Sequence, residues 1–133
     1  MNNNVGEVII PPGLNPEQKE KDVAKILAKH YSVVIEFIKP SDGFKIKTPD
    51  IVMNGVLWEI KNPRGQSRKN IIRNQFSSGG KQSRHLVING QHTSLNDSFL
   101  VRAIQRELTM RRRKYKVIFI TKDGDVIEIN RGK

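Results

Sequence analysis

Apolar residues recur along this chain with two spacings, one near 3.6 and one of 2, and the switches between them mark out the elements. Asn15-Pro16-Glu17 is a helix start by capping chemistry, since Asn accepts an orphan amide bond and Pro needs no donor at the first helical position. Val23, Ile26 and Leu27 then form one apolar face of a helix running to about His30. Ser32 to Ile38 is rich in β-branched and aromatic residues and stops before Pro40, with Asp42-Gly43 as a turn, so it reads as the first strand.

Ile51-Val-Met53 and Val56-Leu-Trp-Glu-Ile60 flank Asn54-Gly55, the pair best suited to the positive φ values of a type I′ hairpin turn. Beyond them, Ser67 to about Arg84 has Ile71, Ile72, Gln75 and Phe76 at helical spacing, interrupted by Gly79-Gly80. His85 to Asn89 reads as a short strand and Ser98 to Arg112 as an amphipathic helix. Tyr115 to Thr121 and Asp125 to Asn130 read as a hairpin across Lys122-Asp-Gly124. The predicted order is α-β-β-β-α-β-α-β-β, an α/β or α+β domain with a mixed central sheet flanked by helices. Residues 1–13, polar and then broken by Pro11, Pro12 and Gly13, read as a tail or linker, leaving 14–133 as a single domain. A chain of 133 residues, 36% apolar and 28% charged, suits one modest core.

The hairpin fixes a register, and the register brings acids together. Met53 should oppose Val56, Val52 oppose Leu57, Ile51 oppose Trp58, and Asp50 oppose Glu59. Alternation places Asp50, Leu57, Glu59 and Lys61 on one face and Ile51, Met53, Val56, Trp58 and Ile60 on the core side. Two carboxylates directly across a strand pair destabilise it unless a cation compensates. A hard divalent ion, Mg²⁺ or Mn²⁺, is the natural compensator and can activate water beside a phosphate. Lys61 lies on the same face and would steady the attacking water or the phosphate. The competing reading is a solvated Glu59–Lys61 ion pair at a strand end, worth little. Glu20 falls on the inward stripe of the first helix as a further metal ligand or base, or simply as an acid suited to a helix N-terminus.

Charge strengthens the case for a polyanionic partner. Lys and Arg number 24 against 13 acids, a net +11, which favours nucleic acid through phosphate neutralisation and counterion release. Arg64, Arg68, Lys69, Arg73, Lys81 and Arg84 cluster just after the acidic pair, where they could bind flanking phosphates. Gln82 falls seven residues after Gln75, on the same helical face if the helix continues through the glycines. Arg111-Arg112-Arg113-Lys114 is better read as cations at a helix C-terminus. His30, His85 and His92 lack metal-ligand spacing, and only His85 is a candidate general acid or base. Without cysteine there is no disulfide or thiolate zinc site. No apolar run approaches the roughly 20 residues of a membrane span, nor does the N-terminus read as a signal peptide.

Pro49-Asp50, eight residues, then Glu59-Ile60-Lys61, set between a helix and strand before and a helix after, resembles the PD-(D/E)xK nuclease superfamily. That resemblance implies metal ligation by the Asp and Glu and a catalytic Lys. Thr48-Pro-Asp-Ile51, then Leu57-Trp-Glu-Ile-Lys61 with Gly65 and Ser67, and Lys81-Gln-Ser83 ahead of a strand are more specifically similar to the C-terminal tRNase domains of contact-dependent growth inhibition toxins. This second resemblance implies that Gln82 touches the site or substrate and that tRNA is cleaved in a target cell's cytoplasm. It also implies a blocking immunity protein and delivery as part of a larger secreted toxin. The motif fits a DNA endonuclease equally well, because both chemistries use a metal platform. With one Trp, two Tyr and five Phe, several in core positions, no base-stacking platform is evident. A non-catalytic nucleic-acid-binding module is the third alternative.

Overall fold

The computed structural model describes residues 6–39, 50–79 and 84–130, with no side chains described at 77–79. Seven strands form one mixed sheet in the order of their sequence. They are β1 (Glu7–Ile9), β2 (Val34–Phe37), β3 (Ile51–Met53), β4 (Val56–Lys61), β5 (His85–Asn89), β6 (Lys116–Ile120) and β7 (Val126–Ile129). Three helices, α1 (Gln18–Tyr31), α2 (Ile71–Gly79) and α3 (Asp97–Met110), make the crossovers between the parallel pairs β1–β2, β4–β5 and β5–β6. The pairs β2–β3, β3–β4 and β6–β7 are antiparallel. Parallel neighbours need a long connection and antiparallel ones do not, so the placement of helices dictates the mixed sheet.

Two cores follow from strand alternation. Trp58, Ile60, Val87, Ile118 and Ile120 point to α1, where Val23, Ala24, Leu27 and Ala28 meet them. Leu86, Ile88, Val117 and Phe119 point the other way, under Ile72 and Phe76 of α2 and Leu100, Ile104 and Leu108 of α3. Period 2 in the central strands thus serves two helical stripes of period 3.6. Tyr31, at the end of α1, donates its hydroxyl to Glu128 of β7 at 2.6 Å, tying the first helix to the last strand.

The N-terminal segment corrects the tail reading. Glu7–Ile9 pair in parallel with Val34–Glu36 as the edge strand β1, and the Glu7 amide donates to the Val33 carbonyl at 3.1 Å. Val8 packs on the α1 core. Three residues ahead of two prolines carry too short an alternation to register as a strand. The helix start is also shifted. α1 is capped at Glu17, not Asn15, and the Glu17 amide donates to Glu20 Oε1 at 3.3 Å in a capping box. Likewise α2 begins at Ile71 rather than Ser67, after Asn70 in the left-handed region at φ 62°.

Gly90 opens a single 3-10 turn after β5 and sits against the core. A Cβ there would come within 2.8 Å of the buried Phe119 ring and 2.9 Å of the Ile120 carbonyl. Gly90→Ala is therefore expected to cost about 1–3 kcal/mol, read as a lower urea midpoint at unchanged m.

Candidate active site

The Asn54-Gly55 hairpin holds the predicted register, with Ile51↔Trp58, Val52↔Leu57 and Met53↔Val56 paired and φ of 51° and 77° at the turn. The ladder ends at Ile51, one residue short of the acid. Asp50 steps out of it. Its amide donates to the Trp58 carbonyl at 3.0 Å, its carbonyl accepts from the Ile38 amide at 3.0 Å, and its Oδ2 accepts from the Ile60 amide at 2.7 Å. The carboxylate is thus fixed to the backbone of β4 beside Glu59.

Glu59 is buried at 6% exposure, on the α2/α3 face, opposite Leu86 in the parallel ladder. Lys61 shares that face, and its Nζ lies 3.1 Å from Glu59 Oε2. The pair is therefore not the solvated surface contact that would count for little, since Glu59 has been taken out of water. Asp50 is strained electrostatically. Burial raises its pKa first, the Ile60 amide opposes that, Glu59 adds to the rise and Lys61 offsets part of it.

Glu20 belongs to the same electrostatic field without joining the pair. Burial and then Asp50 raise its pKa, while the backbone bond to Glu17 lowers it. Among the described residues no three His, Cys, Asp or Glu side chains converge closely enough to hold a metal ion, so the expected trio of Asp50, Glu59 and Glu20 is not assembled as a cage. Mg²⁺ needs no such cage, being held typically by one or two carboxylates with waters. Asp50 and Glu59 fit that lighter demand, since the like-charge repulsion between them is what a bound cation would relieve.

The remaining expectations divide. Arg64, Arg68, Lys69, Arg73 and Arg84 are all exposed. Thr48, Pro49, Lys81 and Gln82 lie outside the described residues. Gln75 donates to the Ile71 carbonyl at 3.0 Å, within its own helix. His85 alternates to the α1 side of the sheet, its ring 4.9 Å from that of Trp58, and burial followed by Lys116 lowers its pKa. It stands on the face opposite Glu59. Arg111 caps the α3 C-terminus, pairs with Glu107 at 3.1 Å and lies over the Phe76 ring, which bears out the structural reading of that basic run at its first residue.

Sequence reasoning overlooked the residues that hold the end of β4. Asn62 follows Lys61, and its Oδ1 accepts from Nδ2 of the fully buried Asn89 at 2.8 Å. Three residues on, the Gly65 carbonyl accepts from Thr93 Oγ1 at 2.6 Å and from the Ser94 amide at 3.1 Å. These contacts pin the chain leaving Lys61 onto the loop after β5. The available signal was an asparagine at or just after the end of each of two adjacent parallel strands.

Comparison with known proteins adds a family. The profile described as the contact-dependent growth inhibition CdiA C-terminal domain matches residues 47–126, more than half of the 133, and spans Asp50, Glu59 and Lys61. The chain belongs to this family. No curated protein matches significantly. Among solved structures, this CdiA C-terminal domain is similar to a chain of a CdiA-CT/CdiI toxin and immunity complex from Burkholderia pseudomallei, with a TM-score of 0.66 and 22% identity over 94% of this chain and 99% of that one. At that identity the likeness establishes the fold. Within the described residues of this CdiA C-terminal domain no helix is long and apolar enough to cross a membrane.

Proposed function

We propose that this domain is a toxin endonuclease that hydrolyses phosphodiester bonds, with tRNA as substrate and Asp50, Glu59 and Lys61 as the reacting set. The observation that carries the reading is the buried Glu59–Lys61 pair at 3.1 Å beside an Asp50 whose carboxyl is held at elevated pKa against the same strand. A fold has no stability reason to assemble an acid pair of this kind, whereas phosphoryl chemistry has a use for each member. The PD-(D/E)xK pattern and the family's growth-inhibition character support it.

Asp50 and Glu59 would hold Mg²⁺ or Mn²⁺, which when bound supplies charge neutralisation at the phosphate and a more acidic water. The protein's own residues do the rest. Glu59 orients the Lys61 ammonium, which is placed to donate to a phosphate oxygen and to the developing charge on it. The Ile60 amide keeps the Asp50 carboxylate from turning away. Glu20, half-buried and facing the charge of Asp50, both of which raise its pKa, would take or return a proton. The domain would act in the cytoplasm of a target cell after delivery by a larger secreted toxin, and a cognate immunity protein would block it.

The test is incubation with a bulk tRNA pool, and separately with plasmid DNA, in Mg²⁺ or EDTA, beside a Glu59→Ala control. Cleavage of tRNA alone, stopped by EDTA and by the substitution, is the expected result. Cleavage of DNA would keep the site and replace the substrate. Binding of both with cleavage of neither would make the domain a non-catalytic binding module.

A further inference from the structure

A second feature of the molecule lies on the outside of the α2/α3 layer. A groove of about 590 Å³ runs between the start of α2 and the length of α3, lined by Arg68 and Arg73 on one wall and Arg102 and Arg106 on the other. Its floor is apolar, from Ile71, Ile72 and Ala103, with Phe99 and Met110 along α3. The sequence placed the first two arginines in a phosphate-binding cluster but left α3 as an ordinary amphipathic helix.

Three observations show that the groove is electropositive by construction. All four arginines are exposed. The acid that lines it, Glu107, is paired with Arg111 at 3.1 Å, so it does not neutralise them. Arg102 and Arg106 are four apart on one helix, a like-charge spacing that disfavours the helix and is relieved by an anion between or beside them. Arg68 is further ordered, its guanidinium lying 5.5 Å over the Phe99 ring. Arginine's rigid fork of donors matches phosphate in a way a lysine's point charge does not, and prior ordering lowers the entropy lost on binding.

The groove also has a physical link to the proposed reaction centre. Residues 62–67 lead directly from Lys61 to Arg68, and Gly65 within them is pinned to the loop of Thr93 and Ser94. This anchored segment joins the proposed reaction centre to the first arginine of the groove.

We propose that the α2/α3 groove is a docking track for the sugar-phosphate backbone of an RNA substrate, with Arg102 and Arg106 gripping phosphates remote from the bond that is cut. The identity of the polymer as RNA rests on the nuclease reading above, but the binding claim can fail or stand separately from it.

The experiment measures binding of fluorescein-labelled bulk tRNA by anisotropy across a salt series in EDTA, for the wild-type domain, Arg102→Gln/Arg106→Gln, and Lys25→Gln/Lys29→Gln. The last pair removes the same charge from exposed positions of α1, on the opposite face of the sheet. Loss of two phosphate contacts in the groove should weaken binding roughly tenfold and flatten the slope of log K against log salt by about 1.5, with the α1 control near wild type. In a parallel cleavage assay KM should rise for the groove variant while kcat at saturating tRNA is retained. Equal loss in both double variants would reduce the effect to net charge and overturn the groove. Unchanged binding in the arginine variant would overturn it as well, and weakened capture of an immunity protein alongside would reassign the face to a protein partner. Wild-type protein that binds tRNA without cutting it would defeat the nuclease reading while leaving the groove to be judged on the binding data alone.

Discussion

Asp50→Asn is expected to cripple cleavage and to stabilise the fold. The carboxyl is half-buried, faces the charge of Glu59 and has a raised pKa, so folding favours its protonated form more than the unfolded chain does. A carboxyl shifted that way contributes stability that is fully present below its unfolded value of about 3.9 and is lost as pH rises through the folded value. At neutral pH the charge has already been imposed at a cost. An asparagine carries no charge, has nearly the same shape and can still accept the Ile60 amide through its Oδ1. The variant should gain about 1 kcal/mol at pH 7, about 4 °C in Tm, and lose activity by about 10²–10⁴-fold. Thermal melts across pH 4–8 are the decisive measurement. The gap between variant and wild type should narrow as pH falls and Asp50 takes up its proton, and Mg²⁺ should raise the wild-type Tm while leaving the variant's unchanged. A variant no more stable than wild type at pH 7 would mean that Asp50 is not under the strain described.

Lys61→Met should lose the same activity while moving stability the opposite way. Removing the ammonium deletes the 3.1 Å ion-pair contact to Glu59, which is only 6% exposed. Breaking such a pair from one side costs about 3–5 kcal/mol, because the surviving charge stays desolvated. Lys61 keeps some contact with water, so the low end, about 3 kcal/mol and about 12 °C in Tm, is the expected figure. The double variant Glu59→Gln/Lys61→Met discriminates the cause. It removes the stranded charge and should recover most of the stability, with no recovery of cleavage. A double variant as unstable as Lys61→Met alone would show that the lysine stem, not its charge, supports the strand.

These opposed shifts bear on how much of the site was legible in the chain. Asn54-Gly55 set the hairpin register because a two-residue loop with positive φ at both positions permits one pairing, and the apolar side of β3 and β4 followed. The match of Asp50 to Glu59 could be inferred only as an extension of that ladder. The ladder ends at Ile51, and the carboxylate is held instead by the Ile60 amide. Glu20 shows the limit of helical-face reasoning. Its i−3 relation to Val23 was readable, but its side chain reaches the Glu17 amide, a cap that depends on where the helix starts. The strand at Glu7–Ile9 was invisible for a different reason, since a three-residue edge strand is defined by its partner Val34–Glu36 and not by its own pattern. Asn62–Asn89 and Gly65–Thr93 join residues 27 and 28 apart, and no local periodicity encodes them.

The sheet's order has a kinetic consequence. Every strand pairs with the one laid down before it, so a chain appearing from its N-terminus can add β1 through β7 in turn without waiting for a distant partner. Such nearest-neighbour growth keeps each loop closure short and favours rapid, stepwise assembly. The Tyr31–Glu128 bond, spanning 97 positions, comes last, after α1 has met Ile118 and Ile120 of β6. It can form only when β7 arrives, which makes it a latch on a structure otherwise built by accretion, and Asp50, Glu59 and Lys61 lie within the part assembled before that latch closes.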